Sequence, residues 1–248
     1  MQPLDRWALS QLNALIEKVA RAYEAFDYHV VYHAIYNFCV VEMSNIYLDI
    51  IKDRLYCEEK DGLPRRSAQT AIFLILDALT RMLAPILAFT ADEIWRSMPH
   101  RRGDDGENVL FNQLASPYAE YGLAQVQLAE WDKLMALRDG VNLELEKVRA
   151  AKLIGKPLEA AVTLYCDGDS YDWLSGQIGL LKTLFIVSKV EVKQGTGGVA
   201  CEGVVGIGIE TEKAPGGKCE RCWVYSETVG ENTRHPTLCA RCAAILEK

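Results

Sequence analysis

Four cysteines close to residue 248 have the spacing of a metal site. Cys219, Cys222, Cys239 and Cys242 form two Cys-x2-Cys pairs that are separated by 16 residues. Each pair lets a tight turn aim two thiolates at one point, and two such turns complete the tetrahedral set that holds structural zinc. Because four thiolates leave no coordination position for water, the spacing predicts one structural Zn²⁺ ion and no catalysis at the metal.

Two other chemistries are open to four cysteines. Four thiolates also bind iron in a rubredoxin-type site, and two pairs of cysteines can form two disulfides. The other cysteines of the chain are scattered, and close pairs in a cytosolic protein favour a metal over disulfides. His235 lies between the two pairs, and we expect it outside the coordination shell because four thiolates are already present. The segment is too small to bury its own core, so metal binding should supply most of its folding energy.

Cations and an aromatic ring accompany the cysteines. Lys218, Arg221 and Arg241 are their neighbours in sequence, and Trp223 follows Cys222 directly. A cation beside an exposed ring suits an unpaired nucleotide, because the charge holds a phosphate and the flat ring stacks on a base. The alternative is that Trp223 packs over the zinc turn as a core residue. These residues alone leave a nucleic-acid partner and a protein partner open.

A second basic patch contains Arg149, Lys152 and Lys156. It is a candidate contact for phosphates, and its alternative is the solvated end of a helix, where the helix dipole favours cations. Aromatic residues also recur at helical spacing between residues 23 and 38, and this pattern predicts that most of them are core. We find no phosphate-binding P-loop, no G-x-S-x-G and no H-E-x-x-H motif, so no catalytic residue is predicted.

Composition limits the classes of function. The chain has 248 residues, 50% of them hydrophobic, and a formal net charge of −7. Nucleic-acid binding would therefore need a local basic surface and not a global positive field. No apolar run approaches the roughly 20 residues that span a bilayer, and the first residues do not form a secretory signal. We expect a protein that is cytoplasmic and has no membrane partner.

Apolar periodicity predicts a helical bundle followed by a mixed region. Helical stripes cover residues 5–26, residues 29–56 and a third segment from Pro64 to Pro85, and a short helix should follow with Thr90 as its N-cap. A further helix is expected at residues 128–153. Residues 160–166, 184–192 and 204–209 are β-branched runs that predict strands, with a turn at residues 195–198.

The predicted fold class is mainly α. We expect a helical bundle at residues 1–125, a long helix with a small α/β subdomain at residues 126–212, and a four-cysteine zinc module at residues 213–248.

Several segments are also similar to one enzyme family. The bundle contains DRWAL at residues 5–9, SNIYLD at residues 44–49 and LAPILAFTADEIW at residues 83–95, and the zinc segment contains KCERCW at residues 218–223. Together they resemble the C-terminal part of bacterial-type isoleucine–tRNA synthetases over nearly the whole chain. The valine, leucine and methionine enzymes share the bundle, so the zinc segment is what favours the isoleucine enzyme.

This resemblance implies a tRNA-binding role. The bundle would be the anticodon-binding domain, lying along the anticodon stem and loop of isoleucine-accepting tRNA, and the zinc module would reach the anticodon. The complete enzyme uses ATP to attach isoleucine to tRNA. Its HIGH-like and KMSKS-like motifs and its editing domain are absent here, so we expect a monomeric fragment that is inactive alone. The candidate tRNA contacts are Arg221, Trp223, Arg241, Lys218, Arg149 and Lys152.

One alternative belongs to a different class of function. A free-standing, zinc-containing helical adaptor could bind a protein partner through the bundle. A large exposed apolar patch on the helices, together with indifference to RNA, would favour the adaptor. The extended resemblance, zinc segment included, opposes it.

Overall fold

The computed structural model describes residues 1–247 and is mainly helical. Its contacts form two compact units. The first unit comprises Met1–Asp49 and Lys60–Ala124, and the second joins Ile50–Glu59 to the chain from Gln125 onward. No pattern in the sequence indicated that residues 50–59 pack with the second unit, and the predicted boundaries at residues 125 and 212 stay predictions.

Helices account for most of the described chain, and none of those described is long and apolar enough to cross a membrane. In chain order they are α1 (Pro3–Glu24), α2 (Tyr28–Asn37), a π-helical stretch (Phe38–Tyr47), α3 (Leu48–Ile50), α4 (Lys52–Cys57), α5 (Leu63–Leu83), α6 (Ala88–Ser97), α7 (Gln125–Ala150), α8 (Gly168–Ser175), α9 (Ile178–Phe185) and α10 (Ala240–Leu246). Single 3₁₀ turns lie at Val109–Phe111, Ala119–Tyr121 and Pro157–Glu159.

The core of the first unit follows the predicted apolar stripe of α1. Leu9, Leu12, Ile16 and Val19 are buried at three- and four-residue intervals, as expected for one face of a helix. A buried carboxylate, Asp5, accepts a hydrogen bond of 2.8 Å from the Tyr47 hydroxyl and one from Ser67. These contacts satisfy a polar group that would otherwise be costly to bury.

One predicted helix cap in the first unit is wrong. Helix α5 ends at Leu83, as Pro85 predicts, but α6 begins at Ala88 and not after Thr90. The Ala91 N–H already donates to the Leu87 carbonyl, so the helical hydrogen bonds start one turn before the predicted capping box. A favourable side chain at Thr90 did not outweigh the backbone bonds that the preceding residues make.

The second unit contains a four-stranded mixed sheet. Its strand order is β2-β1-β4-β3, with β1 parallel to β2 and antiparallel to β4. The strands are β1 (Ala160–Cys166), β2 (Lys189–Gln194), β3 (Val199–Ala200) and β4 (Gly208–Lys213). Helices α8 and α9 lie between β1 and β2 in the chain, as a parallel crossover requires.

Sequence patterns placed β1 correctly and the other strands less well. Leu184 and Phe185 belong to the end of α9, and β2 starts only at Lys189. Val204 lies in a turn, and β4 begins at Gly208. Short apolar runs do not distinguish a buried helix turn from a strand, which explains the error at β2. In the run from Val204, Gly206 has a φ angle of +81°, a turn conformation that interrupts the strand.

Candidate metal centre and nucleic-acid interface

The four predicted cysteines meet at one point in the second unit. Their sulfur atoms all lie within 4.8 Å of one another, and all four residues are buried. The Sγ atoms of Cys222 and Cys239 are 3.8 Å apart, which matches an edge of a tetrahedron with Zn–S bonds of about 2.3 Å. Every cysteine among the described residues is free, which excludes the disulfide alternative.

Two local structures present these sulfurs. A two-stranded hairpin of β5 (Gly217–Lys218) and β6 (Tyr225–Ser226) carries the first pair in its turn, and the Cys219 N–H donates to the Val224 carbonyl at 3.0 Å. The second pair opens α10, with Cys239 as the residue before the helix. The Glu220 N–H donates to the Thr237 carbonyl at 3.2 Å and thereby links the two halves.

The pKa values of the cysteine thiols show why the cluster suits a metal cation. Burial raises the pKa of Cys219, but backbone N–H groups of Cys222, Cys239 and Arg221 outweigh it and lower that pKa to about 6. Burial, with the charges of the neighbouring sulfurs, raises the pKa of Cys222 to about 11. A metal ion that binds among such thiols deprotonates the sulfurs that coordinate it. The donor set therefore fits a divalent ion whose binding releases protons.

Trp223 is exposed and has an unusual backbone conformation. Its φ angle is +64°, and 56% of its surface is exposed. Its N–H donates to the Cys219 carbonyl at 2.9 Å, so the left-handed conformation belongs to the turn that gathers the first two cysteines. The alternative in which Trp223 packs over the zinc turn as core is wrong.

Two lysine ammonium groups lie close to the Trp223 ring. The Nζ atom of Lys218 lies 5.7 Å from the ring centroid, and that of Lys156 lies 5.6 Å away. Lys218 belongs to the zinc segment, whereas Lys156 precedes β1 in the sheet region. Both distances are within cation–π range. Lys156, which the sequence placed only in a separate basic patch, therefore belongs to the surroundings of Trp223.

Arg241 is engaged in an ion pair inside the second unit. Its Nη1 and Nη2 atoms each lie 2.6 Å from a carboxylate oxygen of Asp53, and Nη1 is 3.4 Å from Glu58. Hydrogen bonding to Asp53 raises the pKa of Arg241 above its ordinary value. A guanidinium held in this way has fewer donors to offer a ligand.

The remaining candidate contacts occupy different environments. Arg221 is half-buried, and its Nη1 donates to the Cys242 carbonyl at 3.5 Å. Arg149 lies 2.9 Å from the Glu146 carboxylate. Lys152 is exposed just after α7, and its φ angle of +59° marks the end of that helix. These side chains and the cysteines all belong to the second unit.

A second aromatic surface lies on α2 and on the turn before it, in the first unit, contrary to expectation. Phe26, Tyr28, Tyr32 and Tyr36 are between 51% and 75% exposed, and the rings of Tyr32 and Tyr36 stack with centroids 5.9 Å apart. Helix α2 buries its other side, through Val31, Ala34 and Ile35. We call the four exposed residues the α2 aromatic face.

Comparison with known proteins places this architecture in a family. Residues 5–164 match the model of the anticodon-binding domain of tRNA ligases. The chain belongs to that family. Residues 216–245 match the zinc finger found in FPG and IleRS, and with the clustered sulfurs this match confirms the predicted structural zinc ion.

The relatives confirm the resemblance to the isoleucine enzyme. The chain is 45% identical over its whole length to the isoleucine–tRNA ligase of Geobacter sulfurreducens. It is 44% identical to that of Syntrophotalea carbinolica over 98% of the chain, and 42% identical to that of Moorella thermoacetica over all of it. In each case the chain covers 26–27% of the relative. It thus spans about a quarter of the length of these ligases.

Proposed function

We propose that this chain is the anticodon-recognition and zinc-binding part of an isoleucine–tRNA ligase. The whole ligase would use ATP to attach isoleucine to tRNA, and the chain alone would be an inactive, cytoplasmic monomer that holds the anticodon stem-loop. The chain would bind the stem-loop with three parts, namely a helical bundle, a small α/β subdomain and a zinc module. The observation that carries the proposal is Trp223, an exposed ring on the zinc finger with two lysine ammonium groups within about 6 Å of its centroid.

The backbone at Trp223 supports a role in binding. A left-handed conformation costs a residue with a side chain roughly 1–2 kcal/mol, whereas glycine adopts it freely. Because 56% of Trp223 is exposed, burial returns little of that cost. A tryptophan at this position therefore adds little to the stability of the fold, whereas its exposed ring can stack on a partner with a flat aromatic surface.

An unpaired anticodon base is a suitable partner for this ring. Base–aromatic stacking contributes about 1–3 kcal/mol per base, and Lys156 and Lys218 would hold the adjoining phosphates. This local arrangement gives RNA a binding surface although the net charge of the chain is −7. Lys152 and Arg149, at the end of α7, would hold phosphates farther along the strand.

Zinc would serve this surface without touching RNA. Cys219, Cys222, Cys239 and Cys242 would hold the ion, which cross-links the hairpin turn to the start of α10 and supplies folding energy. Trp223 and Lys218 lie in or beside that turn. Arg221 would stiffen the same turn through its bond to the Cys242 carbonyl.

The deciding experiment is a binding titration. The chain is titrated with the anticodon stem-loop of isoleucine tRNA, and with a stem-loop of the same length whose anticodon is replaced, over a range of salt concentrations. We expect salt-sensitive binding that favours the isoleucine anticodon. Equal affinity for both stem-loops would leave only a non-specific RNA-binding protein, and no binding at low salt would refute the proposal.

The α2 aromatic face supports the second candidate, a zinc-containing adaptor for a protein partner. No Lys or Arg occurs between Ala25 and Ile51, so this face has no fixed positive charge on its own helix for phosphates. Absence of stem-loop binding by zinc-loaded, folded protein would favour the adaptor.

A further inference from the structure

The Asp53–Arg241 pair joins parts of the second unit that are 188 positions apart in sequence. The Nη1 atom of Arg241 donates to one carboxylate oxygen of Asp53 and Nη2 donates to the other, each at 2.6 Å. A bidentate pair of this kind determines orientation as well as distance, because the two planar groups must align. The contact therefore limits how α10 can rotate against α4.

Residues of the same short segment also contact the first cysteine pair. The Cys57 thiol donates to the Arg221 carbonyl at 3.5 Å, and Cys57 is buried in the cluster that contains all four zinc cysteines. Helix α4 thus contacts Arg221, inside the first pair, through Cys57 and Arg241, inside the second pair, through Asp53. One six-residue helix meets both halves of the metal centre.

Helix geometry makes Arg241 an unexpected residue at its position. It lies in the first turn of α10, directly after Ala240, where the helix dipole disfavours a cation. Asp53 and Glu58 offset this cost with negative charge. Arg241 is therefore stabilised electrostatically by its partners in the α4 segment and not by its own helix.

The Trp223 site needs the orientation that this pair maintains. Trp223 and Lys218 belong to the zinc segment, but Lys156 comes from the approach to β1. The three side chains converge only when the zinc segment is seated correctly on the rest of the second unit. The Tyr225 N–H donates to the Ser188 hydroxyl at 2.7 Å, which connects the zinc segment to the residue just before β2. The Asp53–Arg241 ion pair connects α10 to α4.

We propose that Asp53 is a positioning residue for RNA recognition. It holds α10, and with it the zinc segment, in the orientation that brings Trp223 close to both Lys218 and Lys156. Asp53 does not contact RNA, and Arg241 acts through Asp53 and not as a phosphate ligand. This inference rests on the function proposed above, since it assigns a role in the same RNA-binding surface.

The test compares Asp53→Asn with Glu191→Gln. Both remove one negative charge from the second unit, but Glu191 pairs with Lys189 and Lys193 on the surface of β2. Loss of an acidic charge by itself should strengthen RNA binding. We expect Asp53→Asn to weaken stem-loop binding on the order of tenfold, the effect of about 1.4 kcal/mol, while Glu191→Gln leaves it equal or slightly tighter.

Three further measurements separate positioning from simple unfolding. Zinc content should stay at one ion per chain in Asp53→Asn, while hydrogen exchange at α10 becomes faster. The double variant Asp53→Arg with Arg241→Asp should recover most of the lost affinity, because it restores the pair with its charges exchanged.

Two results would overturn the inference, and they are distinguishable. If the unaltered chain binds the stem-loop and Asp53→Asn binds it equally well, Asp53 has no positioning role and the proposed function stands. If the unaltered chain does not bind the stem-loop at all, the proposed function fails and this inference fails with it.

Discussion

Two exposed aromatic surfaces of this chain differ in their charge. Two lysine ammonium groups lie close to Trp223, whereas the α2 aromatic face belongs to a stretch of 27 residues, 25 to 51, without Lys or Arg. Aromatic exposure alone would mark both as binding sites, and the α2 aromatic face has more exposed rings. Positive charge distinguishes the surface that suits RNA, because a strand of RNA carries a phosphate with every base. The comparison predicts RNA at Trp223 and not at α2.

Removal of zinc should have the largest effect. Structural zinc sites of this type contribute an apparent 10–16 kcal/mol or so at neutral pH, and the zinc segment has little other core. Chelation should therefore abolish stem-loop binding and expose the amides of residues 217–247 to rapid hydrogen exchange.

The first unit provides the control for chelation. Its buried residues, such as Leu12 and Ile16, are remote in sequence from any zinc ligand, so exchange in α1 should not change. Elemental analysis should find one zinc ion per chain before chelation. A red, iron-containing preparation would contradict the assignment of the metal.

Replacement of Trp223 by glycine should separate binding from folding. Loss of one stacked base weakens binding by about 1–3 kcal/mol, or roughly 5- to 150-fold. Stability should stay within about 1 kcal/mol, because glycine relieves the left-handed strain while loosening the unfolded chain. Fluorescence anisotropy measures the first effect, and thermal unfolding of zinc-loaded protein measures the second.

Trp173 supplies a matched control for this experiment. Lys133 lies 4.9 Å from its ring centroid, so it is also a tryptophan with a lysine neighbour in the second unit. Trp173→Ala should retain stem-loop affinity. Equal losses in the two variants would mean that a Lys–Trp contact in general, and not the zinc-linked one, governs binding.

Neutralising the two lysines close to Trp223 should have a smaller effect that depends on salt. Each phosphate contact adds about 0.7 to the slope of log affinity against log salt for single strands. Lys156→Gln and Lys218→Gln should each reduce that slope by about this amount, whereas Lys133→Gln should not. Titrations at four or more salt concentrations would measure it. An unchanged slope would remove phosphate binding from the Trp223 site.

Substitutions on the α2 aromatic face should have the smallest effect on RNA. Tyr32 is 59% exposed, and surface changes of this kind usually stay within about 0.5 kcal/mol. Tyr32→Ala should therefore leave stem-loop affinity unchanged in the same assay. A tenfold loss would erase the difference between the two surfaces and make α2 part of the RNA site.

Local chemistry explains which features the sequence predicted well. The cysteine spacing defines a metal site because each pair lies within one turn, and β1 occupies its predicted residues because a β-branched run has both faces buried there. The Thr90 cap and the start of β2 were wrong because neighbouring backbone bonds and a helix turn competed for the same residues.

The features that could not be predicted from the sequence depend on tertiary packing. Helix α2 has two candidate apolar sides, and only packing decides that Val31 and Ile35 are buried while Tyr32 and Tyr36 are exposed. The contact of Asp53 with Arg241 joins segments with no shared pattern or spacing. For the same reason Lys156 was assigned to a basic patch and not to the neighbourhood of Trp223.

The long separation between Asp53 and Arg241 has a consequence for protein synthesis. At about 5–20 residues per second, roughly 10–40 s pass on the ribosome between the addition of the carboxylate and the addition of its guanidinium partner. During that interval α4 lacks the helix that it will contact, and Cys57 lacks the metal cluster that will bury it. The contact between α4 and α10 therefore forms only after α10 has been synthesised.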